Sequence, residues 1–161
     1  PVNLGKLAQG RGKLVPATPQ AVLSILDFYN VLPLEGANAL VIGRSEAVGL
    51  PAFLQLMQRN ATVTVAHSRT KDLPSLSRQA DLVVVAVGKP NFLTKDHVKE
   101  GAVVIDVGTN VLEDGKVVGD VDRENVEPLV RAITPVPGGV GSVTTACLFK
   151  NLFLCYQEQT R

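Results

Sequence analysis

A short apolar run leads into Gly43, and Gly49 follows at the start of an apolar stretch with helical spacing. Dinucleotide-binding units begin with a strand, a phosphate loop and a helix arranged in this way. The usual G-x-G-x-x-G is absent, because Ser45 and Val48 stand at the second and third glycine positions and Arg44 precedes Ser45. The loop is therefore either a degenerate nucleotide site or a site rebuilt for a different ligand.

The segment "HSRT" follows the next predicted strand and contains no carboxylate before Asp72. A site that prefers NAD usually has an acidic residue here, roughly 20 residues after the first glycine, to bond the ribose 2′-hydroxyl. Ser68 and Arg69 instead offer a hydroxyl and a cation, and Arg44 can reach the same place. An arginine fork with hydroxyl donors suits a ribose phosphate. The pattern predicts NADP as the cofactor; solvated loop side chains without a ligand are the alternative.

The segment "ITPVPGGVGSVT", residues 133–144, is the second unusual stretch. Prolines fix the backbone, glycines free it, and the chain then enters the last predicted helix. A glycine-lined approach to a helix N-terminus presents bare amides to a ligand. The composition favours a binding loop over a tight crossover.

Other residues that could do chemistry favour structural roles. His67 is predicted to be a turn residue at a strand end, and His97 lies in a charged run typical of solvated surface. Asp106 and Asp120 are expected to bond loop amides rather than act as acids. The two cysteines lack ligand spacing and are predicted to be buried free thiols, without a metal site. A reducing compartment follows: the cytoplasm is expected, with the mitochondrial matrix as the alternative.

Predicted strands alternate with helices along the chain. Buried strands are expected at 37–43, 61–68, 81–88 and 102–108, with a short one in "AITPV". Predicted helices include one with Thr18 as N-cap, one at 47–60 and a terminal helix in "VTTACLFKNLFLCYQ". An Asp-Gly turn at 114–115 predicts a hairpin. The expected fold is an α/β, doubly wound, mostly parallel sheet, a Rossmann-like NAD(P)-binding domain over residues 16–161. Residues 1–15 are predicted to be an arm or linker.

Composition limits the classes of function. The 161 residues are 45% apolar and only 4% aromatic, which suits parallel strands buried on both faces. A net charge of +1 provides no broad field for nucleic acid or a membrane surface. Neither a membrane-spanning run nor a signal peptide is predicted.

Six segments agree in order and spacing with one family. They are "VIGRSEAVGLP", "NATVTVAHSRT", "ADLVVVAVGKP", "GAVVIDVGTN", "GDVD" and "ITPVPGGVG". The chain resembles the C-terminal, NADP-binding half of bifunctional methylenetetrahydrofolate dehydrogenase/methenyltetrahydrofolate cyclohydrolase, from "NLGKLAQG" to the last helix.

The resemblance implies a role for each matching residue. Gly43, Arg44 and Ser45 match its cofactor-binding loop, Ser68 matches its 2′-phosphate serine, and Thr109 replaces an isoleucine beside the nicotinamide. The residues that match the folate border are Pro137, Gly138, Gly139, Val140, Gly141, Ser142, Val143, Thr144 and Thr145. Four positions depart from the family pattern on the folate and nicotinamide side: Ala17 for cysteine, Ala21 for glycine, Ser142 for proline and Val143 for methionine.

The implied chemistry is hydride transfer from a tetrahydrofolate-bound methylene carbon to the nicotinamide, followed by hydrolysis of the methenyl bridge. The family's catalytic lysine, its tyrosine partner and most pterin contacts belong to an N-terminal domain that these residues do not include. We therefore expect no catalytic residue in this chain, no turnover by the chain alone, and a homodimer of the full enzyme. The alternative is a non-catalytic descendant that serves dimerisation or scaffolding.

Overall fold

A five-stranded parallel sheet forms the centre of the molecule. The computed structural model describes residues 2–160, so Pro1 and Arg161 lie outside the described part of the chain. The strands are β1 (Asn38–Ile42), β2 (Thr62–Ala66), β3 (Leu82–Val85), β4 (Val103–Asp106), β5 (Asn110–Val111), β6 (Val117–Val118) and β7 (Ala132–Ile133). The sheet order is β2-β1-β3-β4-β7, and every pairing in it is parallel. The predicted fold class is confirmed, with strands shorter than predicted because their last residues turn into loops.

Six α-helices and one 3₁₀ turn complete the described chain. They are α1 (Val2–Ala8), α2 (Ala17–Tyr29), α3 (Gly49–Gln58), α4 (Leu73–Ser77), the 3₁₀ turn Lys95–His97, α5 (Arg123–Val126) and α6 (Val140–Gln159). The predicted cap of α2 is wrong, because the helix begins at Ala17 and Pro16 is its N-cap. Among residues 2–160, no helix has both the length and the apolar character that crossing a bilayer requires.

The predicted arm contains a helix that the weak periodicity of its residues did not indicate. Leu7 of α1 is only 2% exposed, and its carbonyl oxygen accepts a hydrogen bond from Gln58 Nε2 of α3. The first part of the chain is therefore packed onto the domain. Whether it also leads into a further domain stays a prediction.

Apolar side chains cover both faces of the sheet. Alternate strand residues such as Val41 and Val84 face α2, α3 and α6. Their neighbours Leu40 and Val83 face the opposite side, together with residues of the shorter elements. Since side chains alternate along a strand, a sheet buried on both faces needs the continuous apolar runs that the sequence shows.

The antiparallel pair β5–β6 confirms the predicted hairpin. Gly115 has a φ of +82° in its turn, and Asp114 Oδ1 accepts a 2.9 Å hydrogen bond from the Lys116 amide. The hairpin lies beyond the carboxyl end of β4, at the sheet edge where parallel α/β sheets bind ligands.

Candidate functional site

Two glycines allow close backbone contacts in the loop between β1 and α3. Gly43 has a φ of +123°, and a Cβ atom there would lie 2.3 Å from the carbonyl oxygen of Ala86. A Cβ atom on Gly49 would lie 2.1 Å from the carbonyl oxygen of Gly43. Both distances are far below van der Waals contact, so the loop requires glycine at its first and last positions.

Ser45 stabilises the start of α3 rather than merely replacing a glycine. Its Oγ accepts hydrogen bonds from the amides of Val48, at 3.2 Å, and Gly49, at 3.4 Å. Its carbonyl oxygen accepts the Leu50 amide at 3.0 Å. Arg44 is exposed and makes no ion pair with the residues that the structure describes. A cation therefore stands beside a helix N-terminus, where anions are favoured.

The ends of β1 and β2 bring the first predicted loop next to "HSRT". Ile42 pairs with Ala66, and the Gly43 amide donates to the Ala66 carbonyl oxygen at 2.9 Å. Arg44 lies two residues after Ile42, and Ser68 lies two residues after Ala66; both side chains are exposed. The structure thus places them on neighbouring loops, as a shared phosphate would require.

The "HSRT" segment is a tight turn, and His67 has the predicted structural role. Its amide donates to Thr70 Oγ1 at 2.9 Å, and its Nδ1 accepts the Arg69 amide at 3.1 Å. The first acidic residue after the turn, Asp72, accepts the Ser75 amide at 3.3 Å and is the N-cap of α4. Its carboxylate is therefore engaged in a helix cap.

A cavity of about 200 Å³ lies where β4 and β7 end. Six of the predicted site residues line it: Thr109, Pro137, Gly138, Gly139, Gly141 and Ser142. A Cβ atom on Gly139 would lie 2.2 Å from the carbonyl oxygen of Pro135, so the tight crossover itself requires this glycine. The segment is thus both a crossover and a cavity wall, two functions that the sequence presented as alternatives.

The rest of the predicted segment is helical, and a role of these residues in binding the substrate stays a prediction. Helix α6 begins at Val140, whose side chain is 3% exposed and belongs to the core. Val143 packs against the same core. Thr144 Oγ1 donates to the Val140 carbonyl oxygen at 2.8 Å, and Thr145 Oγ1 donates to that of Gly141 at 3.5 Å. Val140 and Val143 therefore face the core, whereas Thr145 lies on the same helical face as Gly141 of the cavity wall.

Asp106 bonds loop amides, as predicted, and lines the cavity. Its Oδ1 accepts the amides of Gly108 and Asp120, each at 2.9 Å, and its Oδ2 accepts that of Val121 at 3.0 Å. Burial raises the pKa of Asp106 above its ordinary value, while the three amide hydrogen bonds act in the opposite direction.

Asp120 is fully buried and fixes the loop after β3. Its Oδ2 accepts the amides of Val87 and Gly88 at 2.6 and 2.9 Å. Its Oδ1 accepts the Lys89 amide and Asn110 Nδ2, both at 2.9 Å. The prediction that Asp120 bonds loop amides is confirmed. The sequence did not indicate that the Asn110 side chain also binds this carboxylate.

Two further glycines make room for these carboxylates and were also missed. A Cβ atom on Gly108 would lie 2.3 Å from the Asp120 side chain, and one on Gly119 would lie 1.8 Å from Asp106 Oδ2. The available signal was the arrangement of one glycine two residues after Asp106 and another directly before Asp120.

The predictions for His97 and the cysteines need correction. His97 is half-buried, shares a capping box with Thr94 and lies 6.1 Å from the Phe92 ring, so it is not solvated surface. Burial lowers the pKa of its imidazole. Both thiols are free, but only Cys147 is buried, whereas Cys155 is partly exposed. Across residues 2–160, no cluster of three metal-ligating side chains occurs.

Residues 16–160 match the family model described as "Tetrahydrofolate dehydrogenase/cyclohydrolase, NAD(P)-binding domain". The chain belongs to this family. It is 99% identical over all 161 residues to the bifunctional protein FolD of Coprothermobacter proteolyticus and covers 59% of that protein. The resemblance seen in the sequence is therefore confirmed, and the chain spans little more than half the length of the family members compared with it.

Solved structures of the family share the fold of the chain. The bifunctional FolD enzyme of Campylobacter jejuni superimposes with a TM-score of 0.91 at 49% identity, over 94% of this chain and 54% of that one. The Trypanosoma brucei FolD, described as complexed with NADP cofactor and inhibitor, gives a TM-score of 0.92 at 38% identity. This match covers 100% of the present chain and 57% of the Trypanosoma chain. The described residues thus form an NAD(P)-binding domain of the tetrahydrofolate dehydrogenase/cyclohydrolase type.

Proposed function

We propose that this chain is the cofactor-binding half of an NADP-dependent methylenetetrahydrofolate dehydrogenase coupled to methenyltetrahydrofolate cyclohydrolase. The observation that carries the proposal is the juxtaposition of Arg44 and Ser68 on the loops after β1 and β2. A 2′-phosphate held there would accept hydrogen bonds from a guanidinium and a hydroxyl. Arg69 supplies a second cation in the same exposed turn.

The state of Asp72 supports the choice of NADP over NAD. A carboxylate that bonds the ribose 2′-hydroxyl favours NAD and repels a 2′-phosphate. Asp72 is the first carboxylate after β2, and it caps α4 through the Ser75 amide. The adenosine ribose would therefore meet hydroxyl and cationic groups at this loop.

The cavity at the ends of β4 and β7 suits the reacting end of the cofactor. Thr109 and the Pro137–Gly139 segment line it, and the N-terminus of α6 opens beside it. Bound NADP would supply the hydride-accepting ring. The residues of this chain would orient that ring and form one wall of the folate cleft, while the opposite wall belongs to the remainder of the protein.

Cofactor selectivity tests the proposal. A hydrogen bond to a charged group contributes roughly 1.5–3 kcal/mol. Two such contacts, discounted for exposure, give a preference for NADP over NAD of about ten- to a hundredfold. Calorimetric titration should show this preference in the wild-type chain, and Arg44→Ala and Ser68→Ala should each reduce it.

Arg131→Ala is the matched control. Arg131 is also exposed, but it directly precedes β7 at the opposite edge of the sheet. This substitution removes the same charge and should leave both affinities unchanged. Equal affinity for the two cofactors, or full NADP affinity in Arg44→Ala, would contradict the assignment. Loss of NADP affinity in Arg131→Ala would indicate a general charge effect instead.

We also propose that the chain alone does not turn over folate. Hydride transfer requires the reacting atoms to be held roughly 3–3.5 Å apart, and here only one wall of the cleft is provided. The chain should bind NADP yet produce no reduced cofactor with methylenetetrahydrofolate, measured by absorbance. Steady turnover would place the catalytic groups within these residues. A chain that binds neither cofactor would fit the scaffolding alternative.

The full-length protein is proposed to form a homodimer, as the family resemblance implies. Sedimentation equilibrium of the full-length protein is the direct measurement. A monomer at micromolar concentration would contradict this part of the proposal.

A further inference from the structure

Two buried carboxylates without a cationic partner lie beneath the cavity that the proposed function assigns to the nicotinamide. Asp106 is 4% exposed and Asp120 is 0% exposed. Together they accept six backbone amides and the side-chain amide of Asn110. Within residues 2–160, neither one forms a salt bridge. Their negative charges are therefore solvated by dipoles but not cancelled by a cation.

The hydrogen-bond pattern requires the ionised form of both side chains. Each carboxylate oxygen accepts at least one N–H group, and every recorded partner of either carboxylate is a donor. A protonated carboxyl would have to donate its proton, and none of these partners can accept it. The geometry therefore selects two anions in adjacent positions.

The sheet topology places the reacting end of a dinucleotide over Asp106. In a sheet of order β2-β1-β3-β4-β7, a dinucleotide crosses the switch point between β1 and β3. If the adenosine half of the cofactor lies at the ends of β1 and β2, the nicotinamide half lies on the other side of the switch point, at the ends of β3, β4 and β7. The 200 Å³ cavity lies there, and Asp106 is the sole ionisable residue among those that line it.

We propose that Asp106 and Asp120 make this site selective for the oxidised cofactor. The oxidised nicotinamide ring carries a positive charge and the reduced ring is neutral, while the rest of the cofactor is the same. Two anions below the cavity attract the oxidised ring alone, and a poorly solvated site strengthens that attraction. This inference rests on the proposed cofactor function and extends it from the kind of cofactor to its redox state.

Charges in the neighbouring cavity do not cancel this field. That cavity shares Asp106 with the first one, and its other ionisable lining residues are Lys116, Asp122, Arg123, Glu124 and Glu127. The carboxylates outnumber the cations, and Arg123 is paired with Glu127 at 2.6 Å. The ionisable side chains of this neighbouring cavity therefore carry no net positive charge that would cancel the charge of Asp106, and exposed members such as Glu124 are screened by solvent.

Three ligands test the inference on the wild-type chain by calorimetric titration. They are NADP⁺, NADPH and 2′-phospho-ADP-ribose, which lacks the nicotinamide. We expect NADP⁺ to bind at least tenfold more tightly than NADPH. Equal affinities, or tighter binding of NADPH, would overturn the inference while leaving the proposed function in place. Failure of all three ligands to bind would overturn the proposed function and this inference with it.

A pair of variants assigns the effect to the buried charges. Asp106→Asn should reduce the NADP⁺ to NADPH affinity ratio severalfold, whereas Glu124→Gln, which removes an exposed carboxylate of the neighbouring cavity, should leave it unchanged. An unchanged ratio in a folded Asp106→Asn protein would overturn the assignment. If thermal melting shows that Asp106→Asn does not fold, the wild-type ratio decides, because equal affinities for the two redox forms overturn the inference without any substitution.

Discussion

The contact between Gly49 and the phosphate loop leads to a prediction that opposes ordinary helix propensity. Gly49 is the first residue of α3, and alanine is normally more favourable than glycine in a helix by about 1 kcal/mol. Here a Cβ atom would lie 2.1 Å from the Gly43 carbonyl oxygen and 2.8 Å from the Arg44 amide nitrogen. Both are backbone atoms, so no side-chain rotation can relieve the contact. We expect Gly49→Ala to destabilise the protein.

The magnitude follows from two opposing contributions. Overpacking a tight site costs typically 1–3 kcal/mol, and a rigid backbone obstacle places this case near the upper end. Subtracting the propensity gain of about 1 kcal/mol leaves a loss of about 2 kcal/mol in the free energy of unfolding. For a chain of this size, that loss lowers the melting temperature by roughly 4–8 °C.

The assay is thermal unfolding of Gly49→Ala beside a matched control, Gly141→Ala. Gly141 lies in the first turn of α6, and a Cβ atom there would have no neighbour within 4 Å. The control should therefore unfold at the wild-type temperature or slightly above it. An unchanged melting temperature in Gly49→Ala would refute the argument that close backbone approach requires this glycine. A comparable loss in the control would show that helical glycines matter here for another reason.

Three further substitutions test other parts of the structure by urea unfolding. Thr134→Val should cost about 1–3 kcal/mol, because Thr134 Oγ1 accepts the buried Asp106 amide at 2.8 Å and valine leaves that amide unpaired. Leu40→Ala should cost about 2–5 kcal/mol, because Leu40 is 1% exposed in the core. The Lys99 ammonium and the Asn38 amide lower the pKa of Asp81. Its stabilising effect is present above the unfolded pKa near 3.9 and is lost as the pH falls below it, so Asp81→Asn should flatten the acid side of the stability profile.

The sheet was predictable because its signal is local. The inner strands are largely continuous runs of apolar residues, such as 82–85, and a strand buried on both faces requires such a run. The edge strand β2 instead alternates threonine with apolar residues, which also indicates a strand. The hairpin was equally local, since the Asp-Gly pair determines its turn. The start of α2 was misplaced because Thr18 is a good cap by residue type, whereas the structure uses Pro16 without a side-chain cap.

The start of α6 was misplaced for a related reason. Glycine and proline between 135 and 141 indicate a loop, but they do not show where its backbone becomes helical. Gly139 is the N-cap, and Gly141 already lies within the helix. Composition could therefore identify an unusual segment at the cavity, while the core positions of Val140 and Val143 could be found only from the helical geometry.

The network around Asp106 and Asp120 was the least predictable part of the candidate site, because its partners are distant in the sequence. Asp120 accepts amides more than 30 residues earlier in the chain, and the loops meet only after β3 and β4 have paired. The network also requires glycine at positions 108 and 119, because a Cβ atom there would overlap the Asp120 and Asp106 side chains. This requirement becomes visible only in the folded structure. The sequence could predict that these carboxylates bond amides. It could not show that Asp106 lines a cavity. That position is the reason why a network that stabilises the loops is also proposed to attract the charged ring of the oxidised cofactor.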